Sequence, residues 1–597
     1  MSLKTSFLTA LLSAAVCGTA MVSCGTDAPA PYGVLPSPAQ VEWQKMETNM
    51  FCHFGPNTFT SAEWGTGQES ADLFNPSGMD CRQWASIAKA AGMKGIIITA
   101  KHHDGFCLWP NPVSRHTVAQ SSWKDGKGDV LKELSEACRE YGLKFGVYIS
   151  PWDRNDPAYG SDEYNEVFRQ TLESALGNYG PVFEQWFDGA CGEGPNGKRQ
   201  VYDWNLYHET VYKHQPDAVI FSDIGPGCRW IGNEAGYAGK TCWSTLDTAG
   251  FAPGKSPAQD TLNCGNVHGE AWVPGEADVS IRPGWFYKDS ENDKVKSVSD
   301  LLGIYYASVG RNSLLLLNVP PDKRGLIHSI DSLRLMEFRS ALDKIFASDM
   351  ADGAVAEASS VRGGRKRFSA SNILDGDYDS YWCTDDGVTE ASVVVNLDGV
   401  KTFNRILLQE YIPLGQRIAA FSIDVKDPEG NWVRAAEGTT VGYKRILLAD
   451  RLTTDAVRIN IEKSYACPLI NGFGLYLDEI MGETEGWDEP DDSGEIFAAG
   501  EPLVLDLGKD TQARGFFYRP KKKGADGCII TYSLAVSPDG TQWQTVFSDK
   551  MFENIVNNPV RQDVSFSGPL TFRYIKLTPL RTSDESTYGV AGFGILQ

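Results

Sequence analysis

The chain has 597 residues, and its 42% hydrophobic and 11% aromatic content belongs to a folded protein of two to four domains, not to a disordered one. Seventy-seven acidic against 55 basic residues give a formal charge of −22, which argues against nucleic acid and anionic membrane surfaces as partners. A neutral ligand is not excluded, and the sixteen tryptophans suit sugar rings as well as cores.

The N-terminus reads as a targeting segment. Lys4, the apolar run from Phe7 to Val16 and the small residues before Met21-Val22-Ser23-Cys24-Gly25 form an export signal over residues 1–23. A cysteine directly after a small residue at the cleavage point resembles a bacterial lipobox, in which Cys24 is lipidated and becomes the first mature residue. Met21 departs from that pattern, so simple secretion is the alternative. The expectation is an exported bacterial protein, periplasmic or at the cell surface, that touches membrane only through a lipid anchor. Residues 24–39 then form a polar tether. No other stretch is long and apolar enough to cross a bilayer. Without Cys17 and Cys24, eleven of the thirteen cysteines remain, an odd and scattered set that reads as small buried hydrophobes, not a disulfide framework. No Cys/His spacing suggests zinc, and no cofactor or catalytic metal is expected.

From 40 to 350, apolar runs at 50–54, 94–99, 144–149, 182–188, 218–222 and 314–319 alternate with helical patterns at 82–91, 129–141, 163–176, 202–213 and 296–308. That alternation implies a parallel sheet with crossover helices, and its span fits a (β/α)8-type barrel. A doubly wound open sheet is the alternative, but its glycine-rich dinucleotide fingerprint is absent. Between 240 and 290 the barrel strands are not readable.

After 350 the pattern becomes short alternating runs with turn signals, as in β-sandwiches. It then repeats. Leu503-Val504-Leu505-Asp506-Leu507 echoes Val393-Val394-Val395-Asn396-Leu397, and Ser537-Pro538-Asp539-Gly540 echoes Asp427-Pro428-Glu429-Gly430. Arg573-Tyr574-Ile575-Lys576-Leu577 echoes Val457-Arg458-Ile459-Asn460-Ile461, and Gly592-Phe593-Gly594 echoes Gly472-Phe473-Gly474. Four echoes in one order predict two related β-sandwich domains, 351–484 and 500–597, joined by an acidic linker at 485–499. The first opens with Ser371-Asn372-Ile373-Leu374-Asp375-Gly376-Asp377 and resembles the discoidin (F5/8 type C) fold. That resemblance implies a structural calcium near Asp375 and Asp377, although an Asx-capped turn explains the same acids.

Polar residues cluster after the predicted strands, at the end of a barrel where catalytic groups collect. The run Trp186-Phe187-Asp188-Gly189 ends a buried strand in a carboxylate. His53-Phe54-Gly55, Glu63-Trp64, His102-His103-Asp104-Gly105-Phe106 and Gly146-Val147-Tyr148 supply donors, acceptors and aromatic walls suited to a polyhydroxylated ligand. No nucleophile elbow is present for acyl transfer. These motifs, in this order, resemble the α-L-fucosidases of glycoside hydrolase family 29 over roughly residues 40–350. The resemblance implies Asp188 as nucleophile and His53, Glu63, Trp64, His102, His103, Tyr148 and Trp186 as sugar-binding residues. Separately, Trp285 in Arg282-Pro283-Gly284-Trp285-Phe286-Tyr287 is expected either on the apolar side of the sugar or in the core.

A retaining glycosidase also needs a protonated carboxyl opposite its nucleophile. Glu234, in Gly232-Asn233-Glu234-Ala235-Gly236, resembles the acid/base segment of the branch that cleaves α-1,3- and α-1,4-linked fucose, and Glu276 is the alternative. The expected function is therefore a retaining exo-α-L-fucosidase acting on fucosylated oligosaccharides or glycoconjugates. A cell-surface glycan-binding protein without activity, or a glycosidase for another sugar such as an α-galactoside, are the rivals.

Overall fold

Runs such as Ile96-Ile97-Ile98 and Leu314-Leu315-Leu316-Leu317 are apolar on both sides of the backbone, so they are stable only in a sheet covered on both faces. In the computed structural model, which describes residues 28–481, 493–521 and 526–597, these runs are parallel strands of a closed barrel. The expected export signal and Cys24 lie outside the described residues. The strands are β1 (Thr48–Cys52), β2 (Gly95–Lys101), β3 (Lys144–Ile149), β4 (Glu184–Trp186), β5 (Val219–Ser222), β6 (Cys228–Trp230), β7 (Gly275–Ser280) and β8 (Ser313–Asn318). They close in the order β1-β8-β7-β6-β5-β4-β3-β2. All five expected helices form, among them Cys81–Ala90, Val130–Tyr141 and Asp162–Leu176. Asp80 and Asp129 cap the first two by accepting the amides of Arg82 and Lys132.

The two strands that the sequence hides, β6 and β7, are short or polar. Three residues make β6, and its middle one is Arg229, fully buried because backbone carbonyls of Leu262, Trp243 and Val273 accept from its guanidinium. Strand β7 reads Gly-Glu-Ala-Asp-Val-Ser and buries both acids. No helix separates β5 from β6, and the chain returns in five residues. Gly227 permits this: a Cβ there would sit 2.4 Å from the Ile220 amide nitrogen. The sequence places Glu234 after 218–222; the structure places it one strand further on, after β6.

Beyond the barrel lie two antiparallel domains. The echoed segments occupy equivalent places in both. Val393 pairs with Ile459 and Val395 with Val457, while Leu503 pairs with Leu577 and Leu505 with Ile575. Likewise Gly474 lies opposite Leu407, and Gly594 opposite Phe517. The turns at Asp427–Asn431 and Ser537–Gly540 each close a hairpin, by Asx-type bonds onto Asp427 and Asp539. In the Asp375 loop, Asp375 accepts from the Asp377 amide and Ser380 Oγ, and Asp377 accepts from the Asp379 amide, so three of the four carboxylate oxygens already have a partner. Eleven cysteines fall in the described residues. None is in a disulfide, and nine are buried.

From Ala30 onward, the stretch read as a tether is docked on the first sandwich. Arg417 donates to the Ala30 carbonyl at 3.0 Å, and the Tyr32 amide donates to Leu414 O at 3.0 Å. Barrel and first sandwich meet at Asp478, which is fully buried and accepts from Tyr306 Oη and Arg405 Nη2, both at 2.9 Å. Removing one member of a buried ion pair strands the other charge. Asp478→Ala should therefore lower unfolding stability by about 3–5 kcal/mol, read from the urea midpoint, with the far-ultraviolet spectrum of the folded protein unchanged.

Candidate active site

A single cavity of about 320 Å³ opens at the C-terminal ends of the strands, at the lower end of the usual range for ligand sites and of a size for one sugar ring. Its wall brings together nearly every residue singled out from the sequence: His53, Glu63, Trp64, His102, His103, Tyr148, Trp186, Asp188, Glu234 and Trp285. Parallel strands put their last residues and first loop residues on one rim, and that geometry gathers side chains more than two hundred positions apart.

Asp188 stands two residues past β4. Its Oδ1 accepts the Ala190 amide at 2.8 Å, and its Oδ2 accepts from Tyr148 Oη at 3.0 Å, with His103 Nε2 at 3.6 Å. Burial, then the neighbouring Asp188 charge, raises the Tyr148 phenol well above its usual range, so it stays a donor. His103 also contacts Ser150 Oγ at 2.8 Å through Nδ1. His53 Nδ1 donates to Asn318 Oδ1 at 2.9 Å, which leaves Nε2 for a ligand. Burial depresses both imidazoles, to about 3 for His53 and about 4 for His103, and it depresses His102 too. The three are neutral near pH 7 and act as hydrogen-bonding groups. His102 stacks on Tyr148 with ring centroids 5.6 Å apart, and its buried Nδ1 has no protein partner.

Trp186 forms the floor. Its ring lies 3.8 Å from that of Phe221, and its Nε1 is spent on Glu276 Oε1 at 2.8 Å. Trp285 follows β7 and lines the cavity while 7% exposed, so it belongs to both the site and the core. Glu63 is a strut: it accepts the Trp285 amide at 2.9 Å and pairs with Lys288 at 2.7 Å. Trp64 packs edge-on against His103.

Glu234 is half-buried, and its Oε2 accepts from Trp285 Nε1 at 2.7 Å and from Asn554 Nδ2 at 2.9 Å. Burial, then the nearby Asp278, raises its carboxyl well above the ordinary value despite those two donors. The alternative, Glu276, is corrected by the structure: it does not line the cavity. It sits at the start of β7, fully buried one layer below, against Trp186 and Glu184. Glu184, Cys228 and Glu276 are the one group of potential metal-binding side chains that converges among the described residues. Burial raises both carboxyls, Glu184 to about 7, and the Trp43 and Trp186 indoles each donate to one of them. A proton shared between the two carboxyls relieves their mutual repulsion.

Sequence reasoning missed Asp223, Asp278, Trp230 and Asn554, all in the cavity wall. Asp278 was within reach, because residues two apart on a strand share a face, and Glu276 and Asp278 differ by one layer. Burial, with a contribution from Asp188, pushes Asp278 up to about 8 and Asp223 to about 6. Asn554 lies on the second sandwich, where no local signal marks it.

A closed barrel with several carboxyl groups of separated acidity, neutral imidazoles and an aromatic floor defines a carbohydrate-processing hydrolase site. Comparison with known proteins agrees and sharpens this. Residues 31–344 match the α-L-fucosidase family, and residues 355–473 and 476–591 match the F5/8 type C domain. Alpha-L-fucosidase 1 of Arabidopsis thaliana is 42% identical over 460 residues, covering 76% of this chain and 90% of its own. A glycoside hydrolase 29 family member from an unknown rumen bacterium superposes with a TM-score of 0.67 at 36% identity, over 96% of this chain and all of that one. A Ruminococcus gnavus GH29 fucosidase in complex with fucose gives 0.70 at 32% identity, over 76% of this chain and 97% of that one. This chain belongs to the α-L-fucosidases of glycoside hydrolase family 29 and carries discoidin-like C-terminal domains.

If Glu276 acts only through the floor, Glu276→Gln, which keeps an acceptor for Trp186, should retain fucosidase activity within about tenfold of wild type. A loss as deep as that of a catalytic acid, about 10²–10⁴-fold in kcat/KM, would return Glu276 to the chemistry.

Proposed function

We propose that this α-L-fucosidase works by double displacement with retention, as an exo-enzyme on terminal α-1,3- and α-1,4-linked fucose of branched glycans. The observation that carries this reading is one small cavity in which Asp188, oriented through both oxygens, shares the wall with Glu234, whose raised carboxyl is doubly bonded through Oε2 alone. Asp188 attacks the anomeric carbon while Glu234 passes its proton to the departing glycosidic oxygen, giving a glycosyl ester and a free glycan. Glu234, now a carboxylate, takes a proton from water; the water oxygen attacks the anomeric carbon and releases fucose with Asp188 restored. His53, His102 and the floor of Trp186 hold the ring, and the cavity admits one residue, which fits release from a chain end. The linkage preference rests on the Gly-Asn-Glu-Ala-Gly context of Glu234. Crystallised relatives that bind fucose support the sugar.

The acid role requires Glu234 to be protonated in the first step. Its raised pKa therefore keeps kcat/KM high near neutrality, and activity falls as pH rises through it. His53 and His103 titrate near 3 and 4 and place no limb between about pH 5 and 8. Asp188→Ala should abolish hydrolysis of nitrophenyl α-L-fucoside. Glu234→Ala should lose about 10²–10⁴-fold on Lewis-type trisaccharides, lose the basic limb, and recover turnover on the aryl fucoside with azide. Lewis-type substrates should be cleaved ahead of 2′-fucosyllactose. Azide rescue absent at Glu234 would overturn the acid/base role. Hydrolysis of nitrophenyl α-D-galactoside in preference would overturn the sugar, and tight glycan binding with neither activity would support a glycan-binding protein.

Export with lipidation at Cys24 remains our proposal, carried by the lipobox-like sequence. Radiolabelled palmitate should enter the wild type and not Cys24→Ser. The Asp375–Asp377 calcium is a proposal of the same standing, since the discoidin-like fold supports it while the loop spends three carboxylate oxygens on itself. Calcium needs about six to eight oxygens, so backbone carbonyls would complete the set. Chelation should lower the melting temperature, and an unchanged value would leave the Asx turns as the whole account.

A further inference from the structure

The second sandwich reaches into the catalytic cavity. Between its strands Gln544–Met551 and Gln562–Thr582, a short loop lies across the barrel mouth. Glu553 accepts the backbone amides of Glu63 and Trp64 at 2.9 and 3.3 Å, and Asn558 donates to the Pro283 carbonyl at 3.1 Å. Between those two anchors, Asn554 is held at φ 54°, a left-handed conformation that asparagine tolerates better than most residues. Its Nδ2 donates to Glu234 Oε2 at 2.9 Å, and Asn554 itself lines the cavity. Asn554 thus holds an unfavourable backbone conformation while its side chain makes a half-buried bond to Glu234.

The geometry assigns Asn554 as a positioning residue for Glu234, so that the C-terminal domain is a working part of the active site; this rests on Glu234 being the acid/base. Both donors, Trp285 Nε1 from the barrel and Asn554 Nδ2 from the sandwich, fall on Oε2. A carboxylic acid whose one oxygen accepts two hydrogen bonds carries its proton on the other. Oε1 is thereby made the proton-bearing atom, and two bonds from different directions fix the plane of the carboxyl. Without Asn554, the group keeps only the Trp285 bond as a pivot and can rotate, spreading the proton over more than one direction. The charged groups that face Glu234 are Asp278 and Asp188, both of which raise its pKa, while the Asn554 and Trp285 donors lower it. Deleting the Asn554 amide removes one lowering influence and leaves the two raising ones.

The test compares substrates that differ in their need for a proton. A nitrophenolate leaves without much assistance, whereas a sugar alkoxide depends on it. Asn554→Gly removes the amide while accepting φ 54° without strain, and Asn554→Asp keeps the shape and replaces the donor by a carboxylate. Both are made in the full chain, with melting curves to confirm that the fold is intact. In Asn554→Gly, kcat/KM for a fucosyl disaccharide should fall by about 10- to 100-fold, the scale of a misplaced catalytic group, while that for nitrophenyl α-L-fucoside falls by less than about threefold. The basic limb of the pH profile should move up by about half a unit in Asn554→Gly and further in Asn554→Asp. Equal loss on both substrates with an unmoved limb would reduce Asn554 to a structural contact, and an unchanged disaccharide rate in both variants would overturn the assignment outright. Glu234→Gln separates the two levels. If it hydrolyses the disaccharide at the wild-type rate, the acid/base reading has failed; if it is slow while both Asn554 variants are normal, only the role of Asn554 has.

Discussion

Five carboxyl groups, Glu63, Asp188, Asp223, Glu234 and Asp278, line one cavity of about 320 Å³; Lys288 pairs with Glu63, and like charges as confined as the other four cannot all be ionised together. The rest of the site follows from how that conflict is resolved. Asp188 receives donors on both oxygens, from the Ala190 amide and the Tyr148 hydroxyl. Burial pushes Asp278 up to about 8 and Asp223 to about 6, and it raises Glu234 well above the ordinary carboxyl value despite two donors. The histidines around them are driven neutral by the same desolvation. A site in which acids are sorted by environment is what proton transfer near neutral pH requires, since one group must hold its proton while another is free to attack.

That sorting depends on parts of the chain that lie far from one another. The donors to Glu234 come from a barrel loop and from the last domain, and Glu63 is tied at once to Trp285, to Lys288 and, through its amide, to Glu553. At the other junction, Asp478 joins Tyr306 of the barrel to Arg405 of the first sandwich. Both appended domains therefore share polar contacts with the barrel, fully buried at Asp478 and half-buried at Glu553 and Asn554. Polar contacts of this kind are sensitive to geometry, so they fix orientation more firmly than apolar packing of the same area would.

Much of the architecture was legible in the sequence because periodicity and burial write the same pattern. Runs such as Ile96–Ile98 have no other stable home than a parallel sheet, and four of the five helices keep one apolar face, while Val298–Ser308 is buried nearly all round. The two sandwiches were legible through repetition, and their echoed strands pair in equivalent registers. Strands β6 and β7 were illegible because their burial rests on hydrogen bonds to Arg229, Glu276 and Asp278, and no hydropathy pattern carries that information. The choice between Glu234 and Glu276 failed to close for the same reason: without the register of β7, nothing in Pro-Gly-Glu-Ala-Asp-Val-Ser says which acid reaches the rim.

By itself the sequence determined the barrel-plus-sandwich plan, the family and the motif residues His53, His102, His103, Tyr148 and Asp188, since each belongs to a local run whose chemistry and strand-end position can be read in place. Tertiary structure alone decided that Glu276 lies beneath the floor, that Asp223 and Asp278 join the wall, and that Asn554, 320 residues from Glu234, touches its carboxyl. The physical reason is that strand register and domain docking are set by the summed packing of the whole chain. A side chain whose role depends on them has no signature in its own neighbourhood.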